Sequence, residues 1–568
     1  MSQPSRPKPF RKRILAASTT ESETDASSDQ QDASCESEAL EDDSFNLLGD
    51  QSSAASEDEE PQATSSRGNR AYIPNKERNQ EAQLIDTWGD VVDFEPRFAP
   101  TRKRTCEITP DLIASSSPID IFFKLFPTDL LEKIANFTNK RLEMHASTIK
   151  KAVPPTNIHE IQVLLGCVLV MCYNKMPHMS LYWSNKASLG NDLVKKSIAR
   201  DRFKLLISKI YVTDPCKPPG ASKLYYIEDL IACLKQTFQE TRSDSSAQSI
   251  DESMTKFKGR SSMKQYLPMK PVKRGMNIWM RCDSLTGYTY DFDVYTGKEA
   301  TNTKDGTLGE RVVQKLASTI KNADTTLAFD RFFTSVSLID TLPFPAVGTC
   351  MRNRKNLPTL NKSRERGEVF FTGNSRGTLL AQWIDTKEVI VLSNCHKAAM
   401  TEVNRKQKDG TRLQIPCPES VCFYRAAMGG VDTADQMAGM YEFDRKSDKW
   451  WMKVFHRCLM YTCVNAWVVY KDLENNPKKP FLNFVVELAE KLICEGRGKN
   501  PAKRNLKKGR KSKIASVMTD VGLHLPIEGG ERKRCQGCAA KKKERRTKTI
   551  CRQCNEAFCK DCFAACHS

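Results

Sequence analysis

The sequence predicts an α/β protein, because segments with the period of a strand and segments with the period of a helix both recur along it. Residues 247–254 alternate apolar and polar side chains, and residues 325–330 are β-branched and apolar until a final aspartate. Residues 276–283 and 288–296 alternate in the same way around a turn signal at 284–287, which predicts a β-hairpin.

Amphipathic helices are predicted before these strands. Thr128 is the expected N-cap of one of them, with Asp129 in its first turn and apolar residues at helical spacing behind it. After the strands, residues 448–471 carry apolar side chains on a period of about four, which predicts a long buried helix. The other predicted helices cover residues 157–173, 201–212 and 224–242.

Acidic residues stand where these elements would bring them together. Asp251 and Asp330 lie on predicted strands, which can carry both to one edge of a sheet. Asp432 follows a glycine pair at a predicted helix start that Asp432 or Thr433 is expected to cap, and Asp435 lies one turn further on the same face. Mg²⁺ prefers few carboxylates, retained waters and substrate phosphates, and two such ions clamp the attacking and leaving oxygens of a phosphodiester. The pattern therefore predicts a divalent metal site.

Each acid also has a purely structural interpretation. Asp251 beside Glu252 fits a solvated strand end, Asp330 fits an ion pair with Arg331, and Asp432 fits an N-cap. Spacing alone does not exclude three rival acids in the same region, Asp283, Asp291 and Asp293.

Four ordered motifs decide between these interpretations. They are IDESMTKFKGRSSMKQYLPMKPVKRGMNIWMRCDS, LAFDRFFTS, VGTCMRNRK and MGGVDTADQM, and together they closely resemble the piggyBac family of DNA transposases and their domesticated derivatives. The resemblance extends from about Pro118 to the C-terminus. One departure is the pair Arg331 and Phe332, where the founding member of that family has Asn and Trp; it leaves the preceding aspartate in place.

The resemblance implies a ribonuclease-H-like catalytic core. Its three catalytic aspartates fall on Asp251, Asp330 and Asp432, which would hold two Mg²⁺ ions, and a fourth catalytic acid that would assist them falls on Asp435. The implied reaction nicks one strand at a transposon end, turns the freed 3′-hydroxyl on the opposite strand to form a hairpin, and joins the end to a TTAA target. The implied partners are double-stranded DNA, as transposon ends and TTAA target, and a second copy of the chain in a homodimer.

The predicted domain organisation combines these elements. Three strand-like segments after the strand predicted around residues 344–351 indicate a β-rich insertion. The resemblance implies the same insertion and assigns dimerisation and DNA binding to the helical domain. The sequence is equally compatible with a helical scaffold that makes no such contacts. The predicted ranges are a disordered acidic N-terminal region at 1–100, the helical domain at 110–245, the first part of the core at 246–345, the β-rich insertion at 346–428 beginning with a core strand, the last part of the core and return helices at 429–495, a basic linker at 496–530 and a cysteine-rich zinc domain at 531–568.

Basic residues beside the acids are candidates for contact with DNA phosphates, since each neutralised phosphate releases condensed counter-ion. One group follows Asp251 and is interleaved with Phe257 and Tyr266; another stands at the entrance of the insertion, where Lys355 is the stronger candidate. The candidate DNA-binding residues are Lys258, Arg260, Lys264, Lys273, Arg274, Arg352, Arg354 and Lys355.

Composition favours an intracellular protein with a polyanionic partner. The 568 residues carry a formal charge of +19, and they contain neither an apolar run of transmembrane length nor a signal-peptide core, so no membrane partner is expected.

The basic cluster at 6–13 fits a nuclear address or a phosphate-binding arm, which predicts a nuclear location. Residues 14–66 contain 15 acidic and no basic side chains and should be disordered, with a hypothetical role in masking basic surfaces. The basic tract at 496–513 is expected to bind DNA backbone, a nuclear import receptor or both.

The C-terminus predicts two structural zinc ions. Three CxxC pairs and two further ligands supply enough donors for two tetrahedral sites, with no ligand position left open for water. A cross-braced arrangement is expected, in which the first and third pairs share one ion and the second pair shares the other with the C-terminal ligands. The resemblance favours His567 over Cys566 for that last position. The candidate ligands are Cys535, Cys538, Cys551, Cys554, Cys559, Cys562, Cys566 and His567.

Two other functions stay open at this stage. One is a domesticated relative that binds DNA and regulates transcription without cleaving it, although the intact acids argue against lost chemistry. The other is a protein-interaction module in which the zinc domain acts like a RING or PHD finger, an interpretation that leaves the central acids unexplained.

Overall fold

A computed structural model describes residues 87–99, 101–186, 188–297, 306–363, 365–406, 410–474, 478–498 and 525–567. The chain divides into two compact units, residues 1–499 and 500–568. The predicted basic cluster at 6–13, the acidic stretch at 14–66 and most of the 496–513 tract lie outside the described residues.

Among the described residues, six α-helices lie between the short strand β1 (Trp88–Gly89) and the longer strands of the sheet. They are α1 (Pro118–Leu125), α2 (Thr128–Ile149), α3 (Ile158–Tyr173), α4 (Asp192–Ser197), α5 (Arg200–Lys209) and α6 (Glu228–Thr241). Asn157 caps α3 by accepting a 2.9 Å hydrogen bond from the backbone N–H of Glu160. The expected cap at Thr128 is wrong by one residue, because α2 already begins there and Pro127 occupies the N-cap position. None of the described helices combines the length and the apolar character needed to cross a bilayer.

The described residues of the first unit form a ten-stranded mixed sheet. The strands are β1 (Trp88–Gly89), β2 (Ala247–Lys256), β3 (Lys264–Tyr266), β4 (Arg274–Asp283), β5 (Thr289–Val294), β6 (Thr326–Phe329), β7 (Ala346–Thr349), β8 (Val369–Asn374), β9 (Leu379–Ile384) and β10 (Glu388–Ser393). Their order across the sheet is β1-β8-β9-β10-β7-β6-β2-β4-β3, with β5 paired to β4.

The centre of the sheet is parallel, and its margins are antiparallel. Strands β2, β6 and β7 run in the same direction, with Ile250 opposite Phe329 and Phe329 opposite Gly348. Helices α7 (Leu308–Ala317) and α8 (Val336–Thr341) precede β6 and β7 and cover one face of these strands. Parallel neighbours need such crossovers, and they bring the carboxyl ends of β2 and β6 to the same edge.

The segment predicted as a β-rich insertion contributes to the same sheet. β10 pairs antiparallel with β7, and β9 and β8 extend the sheet outward from it. A separate hairpin of β11 (Met400–Lys406) and β12 (Arg412–Pro418) follows, then α9 (Glu419–Ala427). The sequence pattern predicted the strands β8 to β10, and the fold adds that they lengthen the core sheet.

Three later helices belong to the described part of the first unit. They are α10 (Gly430–Met440), α11 (Trp450–Glu474) and α12 (Phe481–Gly498). α11 is buried along most of its length, and its apolar side chains join those of α1 to α6 and of β4 and β5 in the largest apolar core.

The second unit is small. Its described residues form β13 (Pro526–Arg534), α13 (Gln536–Ala540), β14 (Arg546–Cys551) and α14 (Lys560–His567), with β13 and β14 paired antiparallel. β13 begins inside the predicted 496–530 linker, and residues 496–498 of that range complete α12 in the first unit.

Asn465, to which the sequence alone assigns no role, fastens α11 to β5. Its Oδ1 accepts a 2.8 Å hydrogen bond from the Thr289 N–H, and its Nδ2 donates a 2.9 Å bond to the Thr289 carbonyl. The side chain is fully buried, and the pairing of β4 with β5 shifts register between Arg281 and Cys282, beside Thr289. One amide thus satisfies both backbone groups of Thr289.

We expect Asn465→Ala to lower the free energy of unfolding by about 2 kcal/mol, because two buried backbone groups lose their partner. Chemical denaturation measures the change. The control is Asn404→Ala at an exposed position of β11, which should change stability by less than about 0.5 kcal/mol. Equal effects of the two substitutions would contradict this role of Asn465.

Candidate active site and zinc cluster

Asp251 and Asp330 lie side by side because β2 and β6 are parallel neighbours. Ile250 and Phe329 are the last paired residues of β2 and β6, and Asp251 and Asp330 directly follow them. Ile250 and Phe329 point into the core beneath α7 and α8, so strand alternation turns the two aspartates to the opposite face. Tyr424 of α9 covers that face, and its hydroxyl is close enough for both carboxylates to act on its pKa. The structure therefore brings these two predicted residues together.

Helix α10 crosses the same face of β2. A Cβ on Gly430 would lie 2.5 Å from the Asp283 carbonyl oxygen and 2.6 Å from Ser249 Oγ, so this close approach requires glycine. The expected cap at Asp432 or Thr433 is wrong: α10 already begins at Gly430, after an N-cap at Gly429. Asp432 consequently lies in the first turn of the helix, where its side chain is exposed.

Asp435 fixes the second turn of α10 against β2. Its Oδ1 accepts hydrogen bonds from Ser253 Oγ at 2.5 Å and from the Tyr461 hydroxyl at 3.0 Å. Ser249 binds the N–H of Val431 at 3.2 Å, so two serines on one face of β2 hold two successive turns of α10. In this arrangement Asp435 positions the helix that carries Asp432.

Burial and mutual repulsion make the carboxylates costly to ionise. Burial raises the pKa of Asp251 to about 8, and the adjacent Glu252 carboxylate adds to the effect. Burial also raises the pKa of Asp330, again with a contribution from Glu252. The carboxylate of Asp330 accepts a 2.8 Å hydrogen bond from the backbone N–H of Phe332. A bound divalent cation would offset the cost of these buried negative charges, so the donor set fits a metal site.

Sequence reasoning missed two residues of this site. Glu252 is half-buried beside Asp251, and the Lys270 ammonium lies 3.8 Å from Asp251 Oδ1 and 3.4 Å from Glu252 Oε1. Burial by itself lowers the pKa of Lys270, but Asp251, Glu252 and Asp432 outweigh it and raise the pKa. Glu252 could have been singled out as the direct neighbour of Asp251, whereas only the tertiary structure brings Lys270 to the site.

The rival acids are paired with bases elsewhere. Asp283 contacts Arg242 at 2.9 Å, Asp291 contacts Lys235 at 2.8 Å and Asp293 contacts Lys315 at 2.6 Å. Asp283 and Asp291 are buried, and such buried charges require partners. These pairings account for the rival acids as structural groups, so they are poor candidates for metal ligands.

The predicted DNA-binding residues differ in what they contact. Arg352 pairs with Glu388 at 2.6 Å, while Arg354 donates two 2.8 Å hydrogen bonds to the carbonyls of Arg331 and Phe332. Arg354 thus holds the loop that follows Asp330. The side chain of Lys355 is exposed.

The second predicted group lies in and between β2, β3 and β4. Lys258, Arg260, Lys273 and Arg274 are exposed. The Lys264 ammonium donates a 2.8 Å hydrogen bond to the Gly259 carbonyl, and Arg274 lies over the ring of Tyr266 with 5.0 Å to the centroid. This segment presents an exposed cationic surface, as a phosphate-binding role requires.

Four cysteines of the second unit form a cluster that fits zinc. Cys535, Cys538, Cys559 and Cys562 are buried with all four sulfurs within 4.8 Å of one another. The Cys538 sulfur lies 3.7 Å from that of Cys559 and 3.6 Å from that of Cys562. Sulfurs bound tetrahedrally at about 2.3 Å from zinc would be about 3.8 Å apart. The predicted sharing of one site by the first and third CxxC pairs agrees with this cluster.

The surroundings of Cys535 favour its thiolate. Burial raises the pKa of Cys535, but the backbone N–H groups of Cys559 and Cys538 outweigh burial and lower it to about 7. Burial and a side-chain hydrogen bond with Cys551 raise the pKa of Cys554 to about 11, so these two thiols are neighbours. The side chains of Cys566 and His567, predicted to complete a second site with them, lie outside the described residues.

Comparison with known proteins identifies the class. Residues 117–467 match the family described as Transposase IS4. Because this match covers more than half of the 568 residues, the chain belongs to the Transposase IS4 family. Its similar proteins are of the piggyBac type, which confirms the resemblance found in the sequence motifs.

Two human proteins and one solved structure illustrate the similarity. The chain is 24% identical over 545 residues to PiggyBac transposable element-derived protein 3 of Homo sapiens, covering 91% of this chain and 87% of the relative. It is 24% identical over 370 residues to PiggyBac transposable element-derived protein 2 of Homo sapiens, covering 62% of each. The cryo-EM structure of a piggyBac transposase synaptic complex with hairpin DNA superposes with a TM-score of 0.65 at 22% identity, over 81% of this chain and 98% of that one. The mixed α/β fold is therefore shared with that transposase.

The electrostatics of Asp251 predict how pH changes the stability of the metal-free protein. The pKa of Asp251 is raised to about 8, so the folded chain binds this proton more tightly than the unfolded chain does. The stabilisation that the bound proton provides is therefore lost as the pH rises from about 4 through about 8. Asparagine resembles the neutral carboxyl and does not titrate. With EDTA present, Asp251→Asn should therefore be more stable than the wild type at pH 9, by on the order of 2 kcal/mol, and the difference should vanish near pH 4.

Denaturant unfolding at several pH values measures this difference. The control is Asp448→Asn at an exposed position, which should follow the wild-type curve. If the stability of the wild type and that of Asp251→Asn changed with pH in the same way, the surroundings of Asp251 would not raise its pKa, and the prediction would be wrong.

The cysteine cluster predicts a loss of zinc on substitution. Cys538→Ser should reduce the zinc retained after dialysis by one ion per chain, because serine is a poor ligand in a thiolate site. Inductively coupled plasma mass spectrometry measures the content. The control is Cys494→Ser, at an exposed position of α12, which should retain the wild-type content. Unchanged zinc in Cys538→Ser would exclude this cluster as a zinc site.

Proposed function

We propose that this chain is a cut-and-paste DNA transposase of the piggyBac type. The observation that carries the proposal is the juxtaposition of Asp251 and Asp330 on parallel neighbouring strands, beside the helix that presents Asp432. Family membership supports a transposase, and carboxylates on the central parallel strands suit a ribonuclease-H-like core. The family also suggests the use of divalent metal.

Each side chain has a specific task in this proposal. Asp251, Asp330 and Asp432 would hold two Mg²⁺ ions, and Asp435 holds α10 in place through Ser253 and Tyr461. Bound ions of this kind activate water and stabilise the attacking and leaving oxygens of a phosphodiester. Arg354 fixes the loop after Asp330 by binding two of its carbonyls, which keeps that carboxylate in register with Asp251.

The proposed reaction proceeds at this one site. Hydrolysis of one strand at the transposon end would free a 3′-hydroxyl, which would attack a phosphodiester of the opposite strand, form a hairpin and displace the flanking DNA. Hydrolysis would then reopen the hairpin, and the restored 3′-hydroxyl would attack a TTAA target and displace one of its strand ends. The exposed side chains of Lys355, Lys258 and Arg260 are suited to hold the DNA backbone along this path.

The remaining parts extend the proposal. The second unit would bind two structural zinc ions and recognise DNA near the transposon ends, with Cys551, Cys554 and His567 or Cys566 at the second ion. The chain would act as a homodimer in the nucleus, brought there by an import receptor that binds one of the basic tracts.

A domesticated DNA-binding regulator is the second candidate. The observation in its favour is that the two human relatives are named transposable element-derived proteins. Against it stands the retention of Asp251, Asp330 and Asp432 in a site that fits a cation. A RING- or PHD-like interaction module would involve the second unit alone and leave the family match over residues 117–467 without a role.

Cleavage of a labelled DNA duplex tests the proposed activity. The duplex carries the repeat that flanks the coding sequence, and the reaction is run with Mg²⁺ or with EDTA. The wild type should form hairpin ends only with Mg²⁺. Asp251→Asn, Asp330→Asn and Asp432→Asn should each reduce the rate by roughly 100-fold or more while DNA binding persists, because each removes a charge that holds the ions.

Asp293→Asn is the matched control for this experiment. It removes an acid of the same region that pairs with Lys315, and it should keep near wild-type cleavage. DNA binding without cleavage by the wild type would refute the transposase proposal and favour the domesticated regulator.

A further inference from the structure

Lys270 occupies an unusual position among the acids of the candidate active site. Its ammonium is 3.8 Å from Asp251 Oδ1, 3.4 Å from Glu252 Oε1 and 2.9 Å from the Glu252 carbonyl oxygen. The side chain is 24% exposed, so it is largely enclosed by the site. One monovalent cation is thus shared between two carboxylates and a carbonyl, all oxygen donors of the kind that bind divalent ions.

The backbone holds Lys270 in this position. Pro268 occupies the second place of a turn that the Lys270 N–H closes onto the Leu267 carbonyl at 3.3 Å, and Pro271 restricts the residue that precedes it. The Leu267 N–H also binds the Lys273 carbonyl at 2.9 Å, which closes the base of the loop. The loop therefore directs this lysine toward the acids, whereas Met269 beside it is 94% exposed.

The geometry differs from that of the structural ion pairs nearby. The lysines that neutralise Asp291 and Asp293 each lie within 2.6 to 2.8 Å of one carboxylate oxygen. Lys270 keeps longer distances to two different carboxylates, and Asp432 contributes to the same field. These distances indicate that Lys270 neutralises the site as a whole and is not the partner of a single carboxylate.

We propose that Lys270 is the internal counter-ion of the metal-free active site and competes directly with the divalent cation for Asp251 and Glu252. This inference rests on the proposed function, because it requires that the acids bind metal. A divalent ion bound by Asp251 would strongly repel an ammonium within reach of the same carboxylate in a partly buried site. Lys270 would therefore have to move away from Asp251 for the ion to bind.

The consequence is a site that is assembled before metal arrives. Where both groups are ionised, the carboxylates of Asp251 and Glu252 repel each other. Lys270 reduces that repulsion, at the cost of a lower affinity for the ion. The residue thus sets the metal concentration at which the site loads.

Manganese binding to the full-length protein tests this competition. Mn²⁺ serves as the probe in isothermal titration calorimetry without DNA, so the readout is independent of cleavage. Lys270→Met keeps the length of the side chain without its charge and should bind Mn²⁺ roughly tenfold more tightly than the wild type. Lys270→Arg keeps the charge and should remain near the wild-type affinity.

Thermal unfolding gives a second readout from the same variants. In EDTA, Lys270→Met should melt below the wild type because the carboxylates lose their counter-ion, and saturating Mn²⁺ should raise its Tm by more than it raises that of the wild type. The matched control is Lys273→Met on the exposed side of the same loop, which removes the same charge and should change Mn²⁺ affinity by less than about twofold.

The outcomes separate this inference from the proposed function. If the wild type binds Mn²⁺, Asp251→Asn abolishes that binding and Lys270→Met binds no more tightly than the wild type, the acids form a metal site but Lys270 does not compete for it. If Lys273→Met gains as much affinity as Lys270→Met, general loop charge explains the effect and the competition is refuted. If neither the wild type nor Lys270→Met binds Mn²⁺ at the acids, the proposed function and this inference both fail.

Discussion

The parallel pairing of β2 with β6 is the constraint on which the candidate site depends. It places Asp251 and Asp330 at the same level of the sheet, on the face opposite α7 and α8. Burying two carboxylates together is unfavourable unless a cation or a proton compensates for them. Much of the surrounding structure keeps this arrangement in place: Gly430 lets α10 approach the sheet, Asp435 ties that helix to β2, and Arg354 holds the loop after Asp330.

The distribution of bases distinguishes structural acids from candidate ligands. Asp283, Asp291 and Asp293 each have a dedicated arginine or lysine at short distance, which is the arrangement expected of acids that stabilise a fold. Asp251 and Glu252 share one lysine at longer distances, and Asp330 is held by a backbone N–H. The negative charge of these acids is therefore only partly neutralised, and for this reason they are suited to bind metal ions.

The candidate metal sites of the two units differ in their donor chemistry. Four buried cysteines enclose the candidate zinc site completely, so an ion there would contribute to folding and would have no position open for chemistry. In the first unit, the carboxylates come from separate elements and Asp432 is exposed, which leaves room for water and phosphate. Four thiolate ligands that fill the coordination sphere are typical of a structural metal, whereas carboxylates that leave positions for water and substrate are typical of a catalytic one.

Sequence alone determined the features that depend on local pattern and spacing. The alternation of residues 247–254 identified β2, Asn157 marked the start of α3, and the CxxC spacing defined the cysteine pairs, because each signal lies within a few neighbouring residues. The ordered motifs, which matched a known family, identified the transposase class. Tertiary structure decided what depends on distant contacts: that β8 to β10 extend the core sheet, that α10 begins at Gly430, that Asp435 binds Ser253, and that Lys270 reaches Asp251. No local pattern encodes these pairings, because each joins residues far apart in the chain or depends on how two elements pack.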